Sequence, residues 1–168
     1  LGDEPGPRVP AELHLARADV ATEAWNVPVA REELALAIAA AEAAPFPDLA
    51  AKALVVRGRI EQREGEVDLA VATLAEAADR YEALGDARGR ADALRQRGMV
   101  EIFGGRIEAA ERSARAALAA FEEVGDHGGR AWALQNLAWI AFTTSRLEEA
   151  SDRAEAALET FAELVDGR

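Results

Sequence analysis

The sequence predicts an all-α protein, a right-handed α-solenoid of about eight helices stacked as antiparallel pairs. One observation is that the chain resembles itself when it is shifted by 40 residues. A second is that apolar residues recur every three or four positions, as on one face of an α-helix. A third is composition: hydrophobic residues make up 50% of the chain and aromatic residues only 5%, and its abundant alanine favours helices over strands.

The self-similarity keeps one register along the whole chain. Positions of matched size recur at intervals of 40, as in Leu54, Leu94 and Leu134, and in Ala70, Ala110 and Ala150. We predict four units, at about residues 11–50, 51–90, 91–130 and 131–168, after an extended N-terminal segment 1–10. Residue 1 is not Met and the chain stops abruptly, so we expect a fragment of a longer protein.

Short breaks divide each unit into two helices. The turn between them contains Gly65, Gly105 or Ser145, and in the first unit Trp25 replaces the glycine. Gly85 and Gly125 each follow the last apolar residue of a helix, where a left-handed cap suits glycine. The aspartates that come next can cap the following helix, and Asp48 is expected to do the same in the first "PFPD" break. Helices joined this closely must run antiparallel.

The recurring skeleton resembles the tetratricopeptide repeat. It begins with Leu at the start of the first helix, followed by a small residue at Gly58, Gly98 and Ala138. A turn glycine and two alanines on the second helix complete it. The segment "ALQNLAWIAFTTSRLEEASDRAEAAL" from Ala133 fits best. The usual period of the family is about 34 residues, against 40 here. Similar 40-residue versions occur in bacterial signal-transduction ATPases and transcription activators, so the resemblance implies a regulatory protein. The bias toward Ala and Arg, with Lys52 as the only lysine, indicates a bacterial protein, and the absence of cysteine is compatible with the cytoplasm that we expect.

The resemblance also implies a binding surface. The first helices of successive tetratricopeptide repeats line a concave groove that binds peptides or helices of partner proteins. The matching polar, aromatic or sulfur-containing positions are Arg59, Arg95, Gln96, Met99, Trp132, Gln135, Asn136 and Trp139. Val55 and Arg59 stand where chaperone-binding members have Lys and Asn, so the resemblance does not imply binding of chaperone tails.

Two features of this surface have alternative interpretations. Trp132 and Trp139 either bind a partner or pack on a repeat or domain outside the sequence. Arg17, Arg57 and Arg97 recur every 40 residues. They form either an anion-binding ladder or, as we favour, structural ion pairs with carboxylates on adjacent helices.

No pattern in the sequence indicates catalysis, a metal or a cofactor. His14 and His127 are far apart, there is no cysteine, and no phosphate-binding or hydrolase motif is present, so we expect a protein that is not an enzyme. A net charge of −12 disfavours nucleic acid and anionic membranes, and no apolar run could span a bilayer.

The function predicted is a protein-interaction scaffold. The alternative is a regulatory segment that senses a small molecule and controls attached domains. A homodimer through the apolar stripe of the last helix is also possible, because no further hairpin covers Leu147, Ala154, Leu158 and Phe161.

Overall fold

The computed structural model describes residues 8–42 and 46–165, which form eight α-helices and no strand. The helices are α1 (Arg8–Glu23), α2 (Val27–Glu42), α3 (Pro47–Arg63), α4 (Val67–Leu84), α5 (Ala87–Phe103), α6 (Ile107–Val124), α7 (His127–Thr143) and α8 (Leu147–Val165). Of the predicted extended segment, residues 1–7 lie outside the described residues, and residues 8–10 form the first turn of α1. The all-α prediction is confirmed. The helix pairs begin about one helical turn before the predicted unit boundaries.

Each helix packs mainly on its neighbour in the chain, which gives the hairpins α1–α2, α3–α4, α5–α6 and α7–α8. Three residues connect the two helices of each hairpin. The middle one is Trp25, Gly65, Gly105 or Ser145, and all four have positive φ between 57° and 83°. The turn is therefore the same in every hairpin, and at two of them a non-glycine residue adopts a conformation that favours glycine.

The breaks between hairpins are as predicted at two of the three places. Gly85 and Gly125 are left-handed, each with φ of 69°, and the carboxylates of Asp86 and Asp126 accept the amides three residues further on at 2.8 and 2.9 Å. The expectation for Asp48 is wrong. Phe46 is the N-cap residue of α3, and Pro47 takes the first helical position, which needs no amide donor.

Asp48 lies instead in the first turn of α3, where it forms an ion pair with Arg8 of α1. The hydrogen bond from this guanidinium, followed by its charge, lowers the pKa of the Asp48 carboxyl. The residue that was expected to cap a helix therefore joins α3 to α1.

The chain divides into two compact units, residues 1–84 and 85–168. In the first unit α3 packs on both α2 and α1, and in the second α7 packs on both α6 and α5. Both units have the same internal plan, in which the third helix covers the apolar face of the second. In the first unit the core cluster includes Ala30 and Leu34 of α2 with Ala53 and Ile60 of α3.

Small residues let the helices approach closely, as the skeleton predicted. A Cβ atom on Gly58 would lie 2.6 Å from Cγ of Leu74, which is fully buried in the partner helix. Ala70, Ala77, Ala110 and Ala117 are also fully buried. Packing at this density leaves no room for an added methyl group at Gly58 unless Leu74 moves.

A candidate partner-binding groove

The second unit contains an apolar groove of about 650 Å³ between the end of α5, α7 and the first half of α8. Four of the eight predicted site residues border it: Met99, Gln135, Asn136 and Trp139. The other residues that line it are Ile102, Phe103, Ala138, Phe142, Leu147, Ala150, Ser151 and Ala154. Four of the predicted residues thus border this cavity on α5 and α7, and none of the eight lies on α8.

Trp139 forms one wall of the groove. Its side chain is 53% exposed, and its ring lies 6.2 Å from the ring of Phe142, measured between centroids. Leu137, Ile140 and Ala141 are buried on the core side of α7, so helical periodicity turns Trp139 and Phe142 outward. An indole held this way offers a rigid apolar surface to a partner.

Trp132 does not line the groove. Its ring meets the ring of Phe161 on α8 edge to face, with the centroids 5.3 Å apart. About half of the side chain remains exposed. The tryptophan therefore packs against the second helix of its own hairpin, and the two tryptophans of α7 have different surroundings.

Asn136 is 1% exposed, although its spacing placed it on the same stripe as the two tryptophans. Its Nδ2 donates to the backbone carbonyl of Arg95 on α5 at 3.3 Å. Its Oδ1 is buried and accepts no hydrogen bond from any described residue. A buried acceptor without a donor is costly, and this oxygen bears that cost beneath the surface of the groove.

The two arginines predicted for the groove are engaged in ion pairs. Arg95 donates through Nε and Nη2 to Asp92, at 3.1 and 2.7 Å. Arg59 belongs to the first unit, where it pairs with Asp19 and Glu23 of α1 and its side chain is 13% exposed. Gln96 is half-buried on α5. Neither arginine is a free cation in this structure.

The arginine ladder has the structural role that we favoured, with a different geometry. Arg57 donates to Glu61 at 2.8 Å, and Arg97 donates to Glu101 at 2.9 Å, each one turn further along the same helix. Both carboxylates are buried, and Glu101 also accepts from the hydroxyl of Ser113. The repeated Arg and Glu four residues apart was the signal for these pairs.

Arg17, the first member of the ladder, lies 3.9 Å from Glu33 on α2. The same carboxylate is 2.6 Å from Nδ1 of His14. His127 is the first residue of α7, far from this pair in sequence.

The first unit has its own apolar cavity of about 510 Å³, between α1, α2 and α3, with Arg57 and Arg80 at its border. Both arginines pair with a glutamate of their own helix.

The described residues contain no cluster of three or more His, Asp or Glu side chains suited to a metal ion. Over residues 8–42 and 46–165, every helix is too short or too polar to cross a lipid bilayer.

Comparison with known proteins agrees with this architecture. The family model of the tetratricopeptide repeat matches residues 89–163. Among solved structures, BtubC (BKLC) from P. vanneervenii is similar, with a TM-score of 0.71 and 19% sequence identity. The similarity covers 85% of this chain but only 59% of that one, and at this identity it concerns the fold. Curated proteins give no match. Residues 89–163 therefore belong to the tetratricopeptide repeat family, and the chain has the helix-pair fold of tetratricopeptide-like proteins.

Proposed function

We propose that the protein is a non-enzymatic scaffold that binds a peptide or helix of a partner protein in the groove of the second unit. Tetratricopeptide repeats generally mediate protein–protein interactions, and the family model matches the part of the chain that contains this groove. The observation that supports the proposal most strongly is the exposed aromatic wall of Trp139 and Phe142 over an apolar floor. A regulatory role in a bacterial cytoplasm remains part of this proposal.

The groove offers one large apolar anchor and a few oriented polar groups. Trp139 would supply most of the binding energy, because covering its exposed half removes on the order of 100 Å² of apolar surface from water, worth about 2–3 kcal/mol. Gln135 would orient the bound backbone, and Met99 would adapt to the partner's shape. Arg95 and Gln96 would hold Asn136 and the α5 side of the groove in place. Trp132 would hold α8 in place through its contact with Phe161.

The experiment compares the affinity of single variants for a partner captured from the source cell. Trp139→Ala should weaken binding at least tenfold, while Trp25→Ala, which removes an exposed tryptophan of the first unit, should not change it. Circular dichroism of both variants checks that the helices persist. Binding that is equally strong with Trp139→Ala and the wild type would contradict the proposed groove.

The second candidate function is recognition of a small molecule that regulates attached domains. The volume of the groove lies within the roughly 300–1,000 Å³ that is usual for ligand pockets. A metabolite fraction that excludes proteins should then quench the emission of Trp139. Quenching that disappears in Trp139→Phe but persists in Trp25→Phe would favour the sensor over the scaffold.

A further inference from the structure

Two apolar faces remain largely exposed in the part of the chain that the structure describes, one on α8 and one on α1. We call Leu147, Ala150, Ala154 and Leu158 the α8 stripe. We call Val9, Leu13 and Val20 the α1 face. Leu147 and Leu158 are 63% and 67% exposed, and the three side chains of the α1 face are between 49% and 69% exposed. Both faces occupy positions that recur every 40 residues and are buried elsewhere in the chain.

The α8 stripe repeats positions that the following helix covers on α2 and α6. The residues that match Ala150 and Ala154 are Ala30 and Leu34 on α2, and Ala110 and Ala114 on α6. All four are buried, in a cluster that α3 completes over α2 and in a cluster that α7 completes over α6. In both cases the first helix of the next hairpin lies on the stripe.

The α1 face repeats the positions with which α3 and α7 cover those stripes. Val9, Leu13 and Val20 match Leu49, Ala53 and Ile60 of α3. These three residues of α3 are buried in the cluster with α2. Val20 also matches Ile140 of α7, which is fully buried in the cluster with α6. The first helix therefore exposes the side with which α3 and α7 cover a stripe.

The side-chain sizes of the two exposed faces fit each other. In the cluster between α2 and α3, the large Leu34 of the stripe is combined with the small Ala53 of the covering helix. At the matching positions the order is reversed, with the small Ala154 on α8 and the large Leu13 on α1. An exchange that keeps the total volume is the kind that a packed interface tolerates best.

An ion pair lies at one edge of both covered stripes. On α2, Nε of Arg31 donates to Glu64, just after α3, at 2.7 Å. On α6, Glu111 accepts from Nη2 of Arg146, just after α7, at 3.0 Å. Each covered stripe therefore combines a charge on the stripe helix with the opposite charge on the covering chain.

At the same edge, the α8 stripe and the α1 face are both uncharged. Ser151 of α8 takes the position of Arg31 and Glu111, and Ala24 and Asn26, just after α1, take the positions of Glu64 and Arg146. A contact between the two faces would thus leave no charge unpaired at this edge. Arg17, on the α1 face, matches Arg57 of α3, whose side chain is still 51% exposed, so its guanidinium can remain in water.

We infer that the α1 face of one copy of this chain docks on the α8 stripe of a second copy, as α3 lies on α2. The contact is head to tail, because the two copies use different faces. The homodimer expected from the sequence used the last helix alone, whereas this contact joins that helix to the first one.

The inference goes beyond the proposed function and does not rest on it. The docked helix would cover the α8 side of the groove, since Leu147, Ala150 and Ala154 line it. A second copy and a partner protein would therefore compete for this part of the second unit.

Sedimentation velocity of the full chain over a range of protein concentrations measures this association. The wild type should form species larger than a monomer as the concentration rises. Each copy has a net charge of −12, so two copies repel each other at long range. Because salt screens this repulsion and leaves the apolar contact in place, self-association should become tighter as salt is added.

Single variants of the full chain identify the two faces. Leu13→Glu and Leu158→Glu should each raise the dissociation constant at least tenfold, because each places a carboxylate in the apolar contact. Leu36→Glu is the matched control. Leu36 is 44% exposed on α2, and the matching residue of α4 is already a glutamate, Glu76, so this variant should associate like the wild type. All three leucines are exposed, and circular dichroism checks that the helices persist.

A mixture of the two variants distinguishes a head-to-tail contact from a symmetric one. Leu13→Glu retains the α8 stripe, and Leu158→Glu retains the α1 face. Each variant alone should remain a monomer. Mixed in equal amounts, the two should form a dimer that does not grow further, because only one intact face of each kind is present.

Three results would overturn the inference. One is a wild type that stays a monomer at millimolar concentration, and another is a mixture of the two variants that stays monomeric. The third is an assembly that Leu158→Glu dissolves and Leu13→Glu does not, which would identify pairing of two α8 stripes. Leu13 lies outside the groove, so binding of a partner protein to the Leu13→Glu variant tests the proposed function separately.

Discussion

Gly128 and Gly129 are consecutive residues in the first turn of α7, yet replacing each with alanine should affect stability differently. A Cβ atom on Gly129 would lie 2.2 Å from both Cδ1 and Cε1 of Phe121, which is buried in the core. On Gly128 the nearest atom would be Oδ1 of Asp126 at 3.5 Å, an ordinary contact. The same chemical change therefore collides with an aromatic ring at one position and makes only ordinary contacts at the other.

The relative size of helix propensity and steric clash decides whether each substitution raises or lowers the free energy of unfolding. Alanine gains up to about 1 kcal/mol over glycine in a helix, but forcing an extra methyl group into a packed core costs about 1–3 kcal/mol. Gly129→Ala should therefore lower the free energy of unfolding by about 1–2 kcal/mol. Gly128→Ala should leave the free energy of unfolding unchanged or raise it by up to about 0.5 kcal/mol, because only the helix propensity of alanine acts at this position.

Urea denaturation followed by circular dichroism at 222 nm measures both changes. Gly129→Ala should lower the midpoint without changing the slope, and it should reduce the melting temperature by roughly 3–6 °C. Gly128→Ala is the matched control, with the same atoms added one residue away. If Gly129→Ala were as stable as Gly128→Ala, the packing of Phe121 against the start of α7 would be wrong.

Three further predictions concern a turn, a cap and the core. Ser145→Gly should raise the free energy of unfolding by about 0.5–1 kcal/mol in urea titration, because Ser145 has a φ of 61°; no gain would contradict the left-handed turn. Burial raises the pKa of the Asp126 carboxyl, but hydrogen bonds from the Gly129 amide and the Arg88 guanidinium lower this pKa by more. The pKa is therefore lower in the folded than in the unfolded chain. Ionised Asp126 contributes its full stabilisation at a pH above the unfolded pKa, and this contribution is lost as the pH falls through the folded pKa. Asp126→Ala should cost about 1 kcal/mol at pH 7 and Asp126→Asn less, and neither should retain this acid dependence in melts between pH 7 and 3. Ala110→Phe should cost about 1–3 kcal/mol, and an unchanged melting temperature would refute the burial of Ala110 between α6 and α7.

The repeat made the fold predictable, because helices, caps and turns depend on residues close together in sequence. The left-handed glycines and the capping aspartates have unmistakable local signatures, and the 40-residue register aligned them. Asp48 was the exception, because the neighbouring Pro47 takes the first position of α3, which makes Phe46 the N-cap residue, and because the carboxylate pairs with Arg8, 40 residues earlier.

The site was predictable only in part, because helical spacing defines a face but not what covers it. Trp139 and Asn136 are three residues apart on the predicted stripe, yet the first is exposed and the second is buried beneath α5. The edge-to-face contact of Trp132 with Phe161 depends on the angle between α7 and α8, which no local pattern encodes. The α8 side of the groove was missed because the family resemblance directs attention to the first helix of each pair.

We propose that a partner protein binds over Trp139 in the second unit. The chain has three tryptophans, so incorporation of 5-fluorotryptophan gives three ¹⁹F resonances that report separately on the loop of the first unit, the contact with Phe161 and the groove. Saturation with the captured partner should shift the resonance of Trp139 and leave that of Trp25 in place. A resonance of Trp139 that stays unchanged at saturation, while that of Trp25 moves, would contradict partner binding over Trp139.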